Sequence, residues 1–196
     1  MTTPARFNAP AGGGDEMKFG TRKPRSRPPA RMRRSPPAIE IIVESPLWNA
    51  QRGVKGVLRR AILEAASMVP ARGGELAVVL TDDRTIRTLN RDWRAKDAAT
   101  NVLSFPAGEP PAAGGSPCLL GDIVIAYETT EREARAEHKP FVHHLAHLAV
   151  HGFLHLAGHD HESDDEADAM EQLEIAILAR LDVPDPYVRQ QLTSNA

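Results

Sequence analysis

The sequence predicts an α/β (α+β) fold, a single domain in which one small mixed four-stranded sheet packs with about five helices. Two observations support this prediction. Short runs rich in β-branched residues alternate with longer segments whose apolar residues recur at helical spacing. The length of 196 residues suits one ordinary domain and is too short for two comfortable ones.

The first half of this domain is predicted to hold two strands and two helices. Short β-branched runs indicate the strands. Apolar residues from Val54 to Ala66 at helical spacing indicate the first helix, and Thr81 or Asp82 can cap the second. The predicted elements are a strand over 39–44, a helix over 51–69, a strand over 75–80 and a helix that ends at about Arg94.

The second half is predicted to hold two more strands and three helices. A strand over 102–105 stops at Pro106, and the Pro, Gly and Ala residues of 107–117 indicate a mobile loop. Ser163 and Glu166 form a capping-box pattern at the start of the last helix. That helix has a buried stripe of Met170, Leu173, Ile177 and Leu181. The other predicted elements are a strand over 119–126, a helix over 127–137 and a helix from Pro140 to about Leu156.

The two ends of the chain differ in composition from this domain. Residues 1–38 are rich in Pro, Gly and Arg, so we expect a disordered basic extension, a domain over 39–188 and a C-terminal tail over 189–196. The extension holds nine Lys or Arg against two Asp or Glu, a net charge of +7, which leaves −9 for the rest. A tail, or an overlong gene start before Met17 or Met32, is favoured over an arm that grips ribosomal RNA.

The overall composition indicates a soluble cytoplasmic protein. Apolar residues make up 41% and charged residues 26%. No run approaches the roughly 20 apolar residues of a membrane helix, and no apolar segment resembles a secretory signal. Cys118 is the single cysteine, so an intrachain disulfide is impossible and any zinc site must use His and carboxylate ligands.

The histidines cluster, with all eight between His138 and His161. His151 and His155 lie four residues apart, which places both rings on one helix face and suits one zinc ion. Gly158 can end the helix in a left-handed conformation and let the chain return His161 to the same metal. Three protein ligands leave the fourth position for water, the pattern of a catalytic zinc. His147, one turn earlier, is assigned to substrate contact or to orienting a ligand, and mere packing is about as good an explanation.

The same His spacing occurs in metzincin proteases, which need Glu directly after the first His as the general base. Gly152 occupies that position here and has no side chain. The residue pattern therefore disfavours a metalloprotease.

Three segments together resemble the YbeY family of bacterial endoribonucleases. The run His151–His161 is similar to the family signature H-G-x-L-H-L-x-G-Y-D-H, with His159 in place of the usual Tyr. A second match runs from Leu89 to Pro106, with Ala99 where Pro is usual, and a third from Leu120 to Ile125. The resemblance covers about residues 39–188. It implies a zinc-dependent endoribonuclease that prefers single strands and acts in 16S rRNA 3′-end maturation and ribosome quality control. RNA, the ribosome and ribosome-associated proteins are the implied partners, and Arg94 is the implied functional arginine.

The residue chemistry around Arg94 is compatible with that role. A row of arginines at spacings of 3, 4 and 3 offers forked donors to phosphate oxygens on one helix face. Phosphate contact or transition-state stabilisation is favoured for Arg94, which Lys96 follows closely, and a solvated face for the first two of the row. The opposite face, with Leu89 and Trp93, is predicted to be buried. The arginine row is Arg84, Arg87, Arg91 and Arg94.

Two aspartates are further candidates, since Asp122 and Asp160 can each orient a zinc histidine or simply face water. The resulting hypothesis has zinc polarising water or a phosphoryl oxygen while Arg94 neutralises the phosphate, with the general base unassigned. A metalloprotease and a non-catalytic ribosome-assembly factor with a structural metal stay open. Histidine ligands also accept nickel and other metals.

Overall fold

The structure, a computed structural model, describes residues 35–69, 74–108, 118–159 and 163–188. The predicted 1–38 extension falls almost wholly outside these residues, as do the 189–196 tail and most of the 107–117 loop. All the described residues belong to one compact unit. No helix in this part of the chain is both long and apolar enough to span a membrane.

The first half of the unit alternates strands with helices. A short 3-10 helix, Pro46–Ala50, follows the first strand and was not predicted; Pro46 suits its first turn because a proline lacks the N–H that has no partner there. Asp82 caps the second α-helix by accepting a 2.9 Å hydrogen bond from the Thr85 backbone N–H. The elements are β1 (Ala38–Val43), α1 (Val54–Met68), β2 (Glu75–Thr81) and α2 (Asp83–Arg94).

In the second half one helix follows the last strand directly, and two more complete the unit. The predicted capping box is confirmed, because Ser163 and Glu166 each accept from the other's backbone N–H. The elements are β3 (Val102–Pro106), β4 (Leu119–Ala126), α3 (Tyr127–Ala136), α4 (Phe141–Leu156) and α5 (Asp164–Ala179).

The four strands form one mixed sheet in the order β1-β2-β4-β3. The pairs β1–β2 and β2–β4 are parallel, and β3 pairs antiparallel with β4 at the sheet edge. The predicted class, a small mixed four-stranded sheet with five α-helices, is confirmed.

The two faces of the sheet are covered unequally. Ile123 and Ile125 of β4 point into the main core, which α1, α4 and α5 close. Val124 and Ala126 point the other way, into a small second core that α2 covers with the fully buried Ile86. Among the described residues α2 provides the cover of the second face, and this cover is only partial.

Trp93 shows that partial cover directly. Helical periodicity predicts it on the buried face of α2, and this prediction is wrong, since the side chain is 72% exposed. Ile86, two turns earlier on the same face, is completely buried. The last turn of α2 leaves the indole beside an open groove on this face of the sheet, where nothing in the described residues encloses it.

Helix α4 lies unusually close to the sheet at Gly152. A Cβ atom there would lie 2.9 Å from Ile123 Cγ2 and 3.2 Å from Ser104 Oγ. The Ser104 hydroxyl donates to the Gly152 carbonyl at 3.2 Å, which ties edge strand β3 to the helix. Glycine is thus required here for close packing, and this contact sets the distance between α4 and the sheet.

We expect Gly152→Ala to lower the free energy of unfolding by about 1–3 kcal/mol, because the new methyl group overpacks the helix–sheet contact. Gly56→Ala in α1 is the matched control, since a Cβ there meets nothing within 4 Å. The control should raise stability by about 0.5–1 kcal/mol by removing backbone freedom from the unfolded chain. Urea denaturation measures both changes, and equal behaviour of the two variants would contradict the close contact.

Candidate metal centre

Four histidines follow one another along one side of α4. Their ring centroids lie 6.3 Å apart for His144–His147, 6.4 Å for His147–His151 and 4.6 Å for His151–His155. Spacings of three and four residues produce this row because α-helical neighbours on one face are three and four positions apart.

The last pair has the geometry of two ligands of one metal ion. The Nε2 atoms of His151 and His155 lie 3.2 Å apart. Two nitrogens bound to one tetrahedral zinc at 2.0–2.1 Å are about 3.3–3.4 Å apart. The two rings meet at 83°, so they converge edgewise and are not stacked face to face. The donor pair therefore fits a zinc ion.

Beyond His155 the chain reverses direction. Gly158 has a φ of +88°, in the left-handed region that glycine adopts without strain. The Gly158 N–H donates to the His155 carbonyl and the His159 N–H to the Leu154 carbonyl, both at 3.0 Å, which together form a Schellman motif. The predicted left-handed helix end at Gly158 is confirmed.

The third predicted ligand, His161, and the neighbouring Asp160 lie outside the described residues. Within those residues no three His, Cys, Asp or Glu side chains are grouped so as to hold a metal ion. The structure brings His151 and His155 together, and the three-ligand set of His151, His155 and His161 stays a prediction.

Glu174 of α5 lies beneath the histidine row, and the sequence reasoning did not identify it. The side chain is completely buried, and its carboxylate accepts from His151 Nδ1 at 2.8 Å and from His147 Nε2 at 2.7 Å. Burial raises the pKa of Glu174, but the hydrogen bonds from the two histidines outweigh it and lower that pKa to about 2. The carboxylate is therefore ionised throughout the neutral range.

The contact from Glu174 determines which nitrogen of His151 can bind a metal. A ring that donates its Nδ1 proton to a carboxylate keeps the lone pair on Nε2, the atom that faces His155. The sequence does indicate that Glu174 is unusual, because it lies between Met170 and Ile177 on the apolar face of the predicted helix. A carboxylate within a buried stripe needs a donor, and the histidine row of α4 can supply it.

Tyr187, in the segment after α5, also contacts this carboxylate. Its hydroxyl donates to Glu174 at 2.5 Å, and its ring lies edge-on to His147 with centroids 5.6 Å apart. Burial and the hydrogen bond to Glu174 raise the pKa of Tyr187, so the phenol keeps the proton that it donates. His147 is therefore held between Glu174 and Tyr187. The Glu174 carboxylate links it to His151, because it hydrogen-bonds both histidines.

The first histidine of the row has a different partner. His144 is 5% exposed, and its Nε2 lies 2.9 Å from the Glu133 carboxylate of α3. Burial raises the pKa of Glu133, but hydrogen bonds from His144 and Asn101 lower it by more. His144 thus joins α4 to α3 and to the start of β3, away from the His151–His155 pair.

The remaining predicted site residues lie on the other side of the sheet. Asp122 shares the β4 face of Val124, opposite α4, and lines a groove on the α2 side. Among the described residues Glu174 is the carboxylate that hydrogen-bonds a predicted ligand, and the role of Asp122 stays a prediction. Arg94 and Lys96 are exposed at the end of α2.

The ends of α2 and α4 nevertheless lie at the same end of the sheet. A Cβ at Gly121 would lie 3.0 Å from Leu156 of α4, and Gly121 pairs with Pro106 at the end of β3. Trp93 of α2 contacts Phe105, the residue before Pro106, with ring centroids 5.7 Å apart. The two helix ends therefore flank edge strand β3 from opposite faces.

The chain is similar to several known proteins. A family profile described as "Endoribonuclease YbeY" matches residues 46–182. A Nitrobacter hamburgensis protein named "Endoribonuclease YbeY" is 56% identical over 160 residues, 79% of this chain and 84% of that protein. A Rhodopseudomonas palustris protein of the same name is 58% identical over 159 residues, 79% of this chain and 92% of its own length. A Thermotoga maritima solution structure covers 77% of this chain and 99% of its own, at 24% identity and a TM-score of 0.40.

We expect Glu174→Gln to destabilise the fold at neutral pH by about 3 kcal/mol, because the folded-state pKa lies well below the ordinary value. The stabilisation is present above the ordinary pKa of 4.5 and is lost as the pH falls from there toward about 2. Denaturation at a series of pH values measures the difference in the free energy of unfolding between variant and parent. This difference should become smaller as the pH falls through that window. Exposed Glu171→Gln is the control, and a difference independent of pH would contradict the assignment.

Proposed function

We propose that this chain, which belongs to the Endoribonuclease YbeY family, hydrolyses phosphodiester bonds of single-stranded RNA with one zinc ion held by His151, His155 and His161. As a member of this family the chain is an RNA endonuclease. The proposal goes beyond family membership in three respects: the metal is zinc, the RNA is single-stranded, and the ligands are the three histidines named above.

The main support for metal binding is the close approach of His151 and His155. Their Nε2 atoms are 3.2 Å apart, and the Nδ1 atom of His151 is bound to a buried carboxylate. A ligand histidine whose second nitrogen donates to a carboxylate is the usual support of a protein zinc site. When bound there, zinc supplies a Lewis acid that activates water near neutral pH and polarises a phosphoryl oxygen.

The protein side chains have distinct roles in this proposal. Glu174 fixes the His151 ring and its tautomer, while Tyr187 and His147 hold Glu174. Arg94 lies across edge strand β3 from the histidine pair and neutralises charge on the phosphate in the transition state. Lys96 adds a second cation at that end. The group that accepts the proton of the attacking water is unassigned.

Gly152 supports hydrolysis of RNA over hydrolysis of peptides. The position that would carry the general base of a metzincin faces the sheet, where even a Cβ atom would lie 2.9 Å from Ile123. A glutamate at this position would enter the core and could not reach water near His151. The fold therefore has no room for that protease mechanism.

The cellular part of the proposal is maturation of the 16S rRNA 3′ end and quality control of ribosomes in the cytoplasm. It is supported by the sequence motifs around Arg94, Asp122 and His151 that resemble the family. Ribosomal RNA and the ribosome are the partners proposed.

We expect His155→Ala to lose both bound metal and cleavage of single-stranded RNA, because one of the converging nitrogens is removed. His143→Ala is the control, since it lies on the same helix but outside the convergent pair, and it should keep both. Metal content by mass spectrometry identifies zinc, nickel or another ion, and labelled RNA reports cleavage. Equal cleavage by His155→Ala and the parent protein would overturn the proposal.

We expect Arg94→Ala to lower kcat for RNA cleavage by about 10²–10³-fold with metal content unchanged, because a charge-stabilising donor is lost without loss of a ligand. Arg84→Ala, on the same helix face but three turns away, should stay within a few-fold of the parent. Single-turnover rates at saturating RNA separate this effect from weaker binding. A normal rate in Arg94→Ala would remove this residue from the mechanism.

A further inference from the structure

Trp93 is the most exposed large apolar side chain in the described part of the chain, at 72%. An indole left in water gives up the stabilisation that burial would provide. Exposed aromatic side chains of this size are typical of surfaces that bind a partner. The function of the metal centre does not account for this residue, which lies on the opposite face of the sheet from His151.

The indole is exposed but not loose. Its ring contacts Phe105 of β3 edge-on, with centroids 5.7 Å apart and an interplanar angle of 67°. Phe105 is itself half-buried against the second core. A ring already held by such a contact loses little rotational freedom when a planar ligand stacks on it.

Trp93 and Phe105 line a groove of about 1020 Å³ on the part of the sheet that α2 leaves uncovered. Val79 and Val124 form part of its apolar floor. Pockets that enclose small organic ligands have volumes of roughly 300–1,000 Å³, so the groove has room for a nucleobase beside the indole.

The charges around the groove differ between its two ends. Among the described residues Arg94 and Lys96 form no ion pair, whereas Arg87 is paired with Asp97 and Arg91 with Asp92. Unpaired cations are thus available immediately after Trp93, at the end of α2. Glu40 and Glu75 line the β1–β2 side of the groove, whereas Asp122 lies nearer the indole, directly across from Phe105 in the β3–β4 pair. A polyanion is attracted to the α2 end and repelled from the other.

We propose that Trp93 is a nucleobase-stacking residue, on which one base of the single-stranded RNA substrate lies while the adjoining phosphates lie toward Arg94 and Lys96. Every base has a π-face, so this contact tolerates different sequences. It requires an unpaired base, which makes Trp93 a source of the preference for single strands. The inference rests on the proposed function and names a substrate contact for the same site.

The two tryptophans of the chain allow a direct test, because Trp48 is 2% exposed in the core and Trp93 is open to ligand. The full-length protein is titrated with a 2′-O-methylated oligonucleotide of about eight nucleotides, within the range that a single-strand binding site covers. An abasic oligonucleotide of the same length and charge is the comparison. We expect the RNA analogue to quench Trp93 emission and the abasic chain to leave it unchanged.

Variants provide the second readout, with affinity measured by fluorescence anisotropy of a labelled oligonucleotide. We expect Trp93→Ala to weaken binding by about 5- to 100-fold, and Trp93→Phe to recover much of this loss, since phenyl rings also stack. Leu119→Ala is the control, because Leu119 is 63% exposed at the carboxylate end of the groove and should not affect RNA affinity. Unchanged melting temperatures establish that all the variants are folded.

Several results would overturn the stacking role. These are saturable RNA binding with no change in Trp93 emission, equal quenching by the abasic chain, or a Trp93→Ala affinity equal to that of the parent. Quenching by oligolysine but not by RNA would assign the groove to a basic protein segment instead. Cleavage by the parent protein is assayed alongside, so a failure of stacking with cleavage intact is distinguished from a failure of the RNA-cleaving proposal itself.

Discussion

The buried carboxylate of Glu174 is the interaction on which the arrangement of the site depends. A charge removed from water is costly unless donors surround it, and here His147, His151 and Tyr187 provide them. These partners come from α4 and from the segment after α5, so one ionised group holds three parts of the chain together. Any rotation of α4 that moved His151 away would leave the charge unpaired. The orientation of the His151 ring, and with it of the Nε2 atom that faces His155, is therefore coupled to the stability of the fold.

Close packing at Gly152 provides the second constraint. The helix can approach β3 and β4 only because no side chain intervenes, and the Ser104 hydroxyl then reaches its backbone. Glu174 fixes how α4 is turned, and Gly152 fixes how near the sheet it lies. Together they bring the last turn of α4 to the edge of the sheet, where Arg94 and Trp93 lie on the opposite face.

Much of this could be predicted from the sequence, because local patterns determine local structure. Apolar periodicity, the cap at Asp82 and the capping box at Ser163 located the helices to within a few residues. Spacing of four residues was enough to pair His151 with His155. Glu174 escaped prediction because its histidine partners are 27 and 23 positions away, and its role exists only after α4 and α5 meet. Trp93 was predicted wrongly because periodicity identifies the apolar side of a helix but not whether the sheet packs closely against each of its turns.

The position of His155 in the final turn of α4 has an electrostatic consequence. The aligned peptide dipoles of a helix leave partial negative charge at its C-terminal end, which favours a cation within about one turn. A divalent ion between His151 and His155 would lie beside that end, so the backbone of α4 itself would add to its attraction. The same field repels phosphate, and an anionic substrate must be drawn in by positive charge from elsewhere. The division of roles proposed for α4 and α2 is consistent with this, since a helix end that would favour a metal ion is electrostatically unsuited to hold RNA.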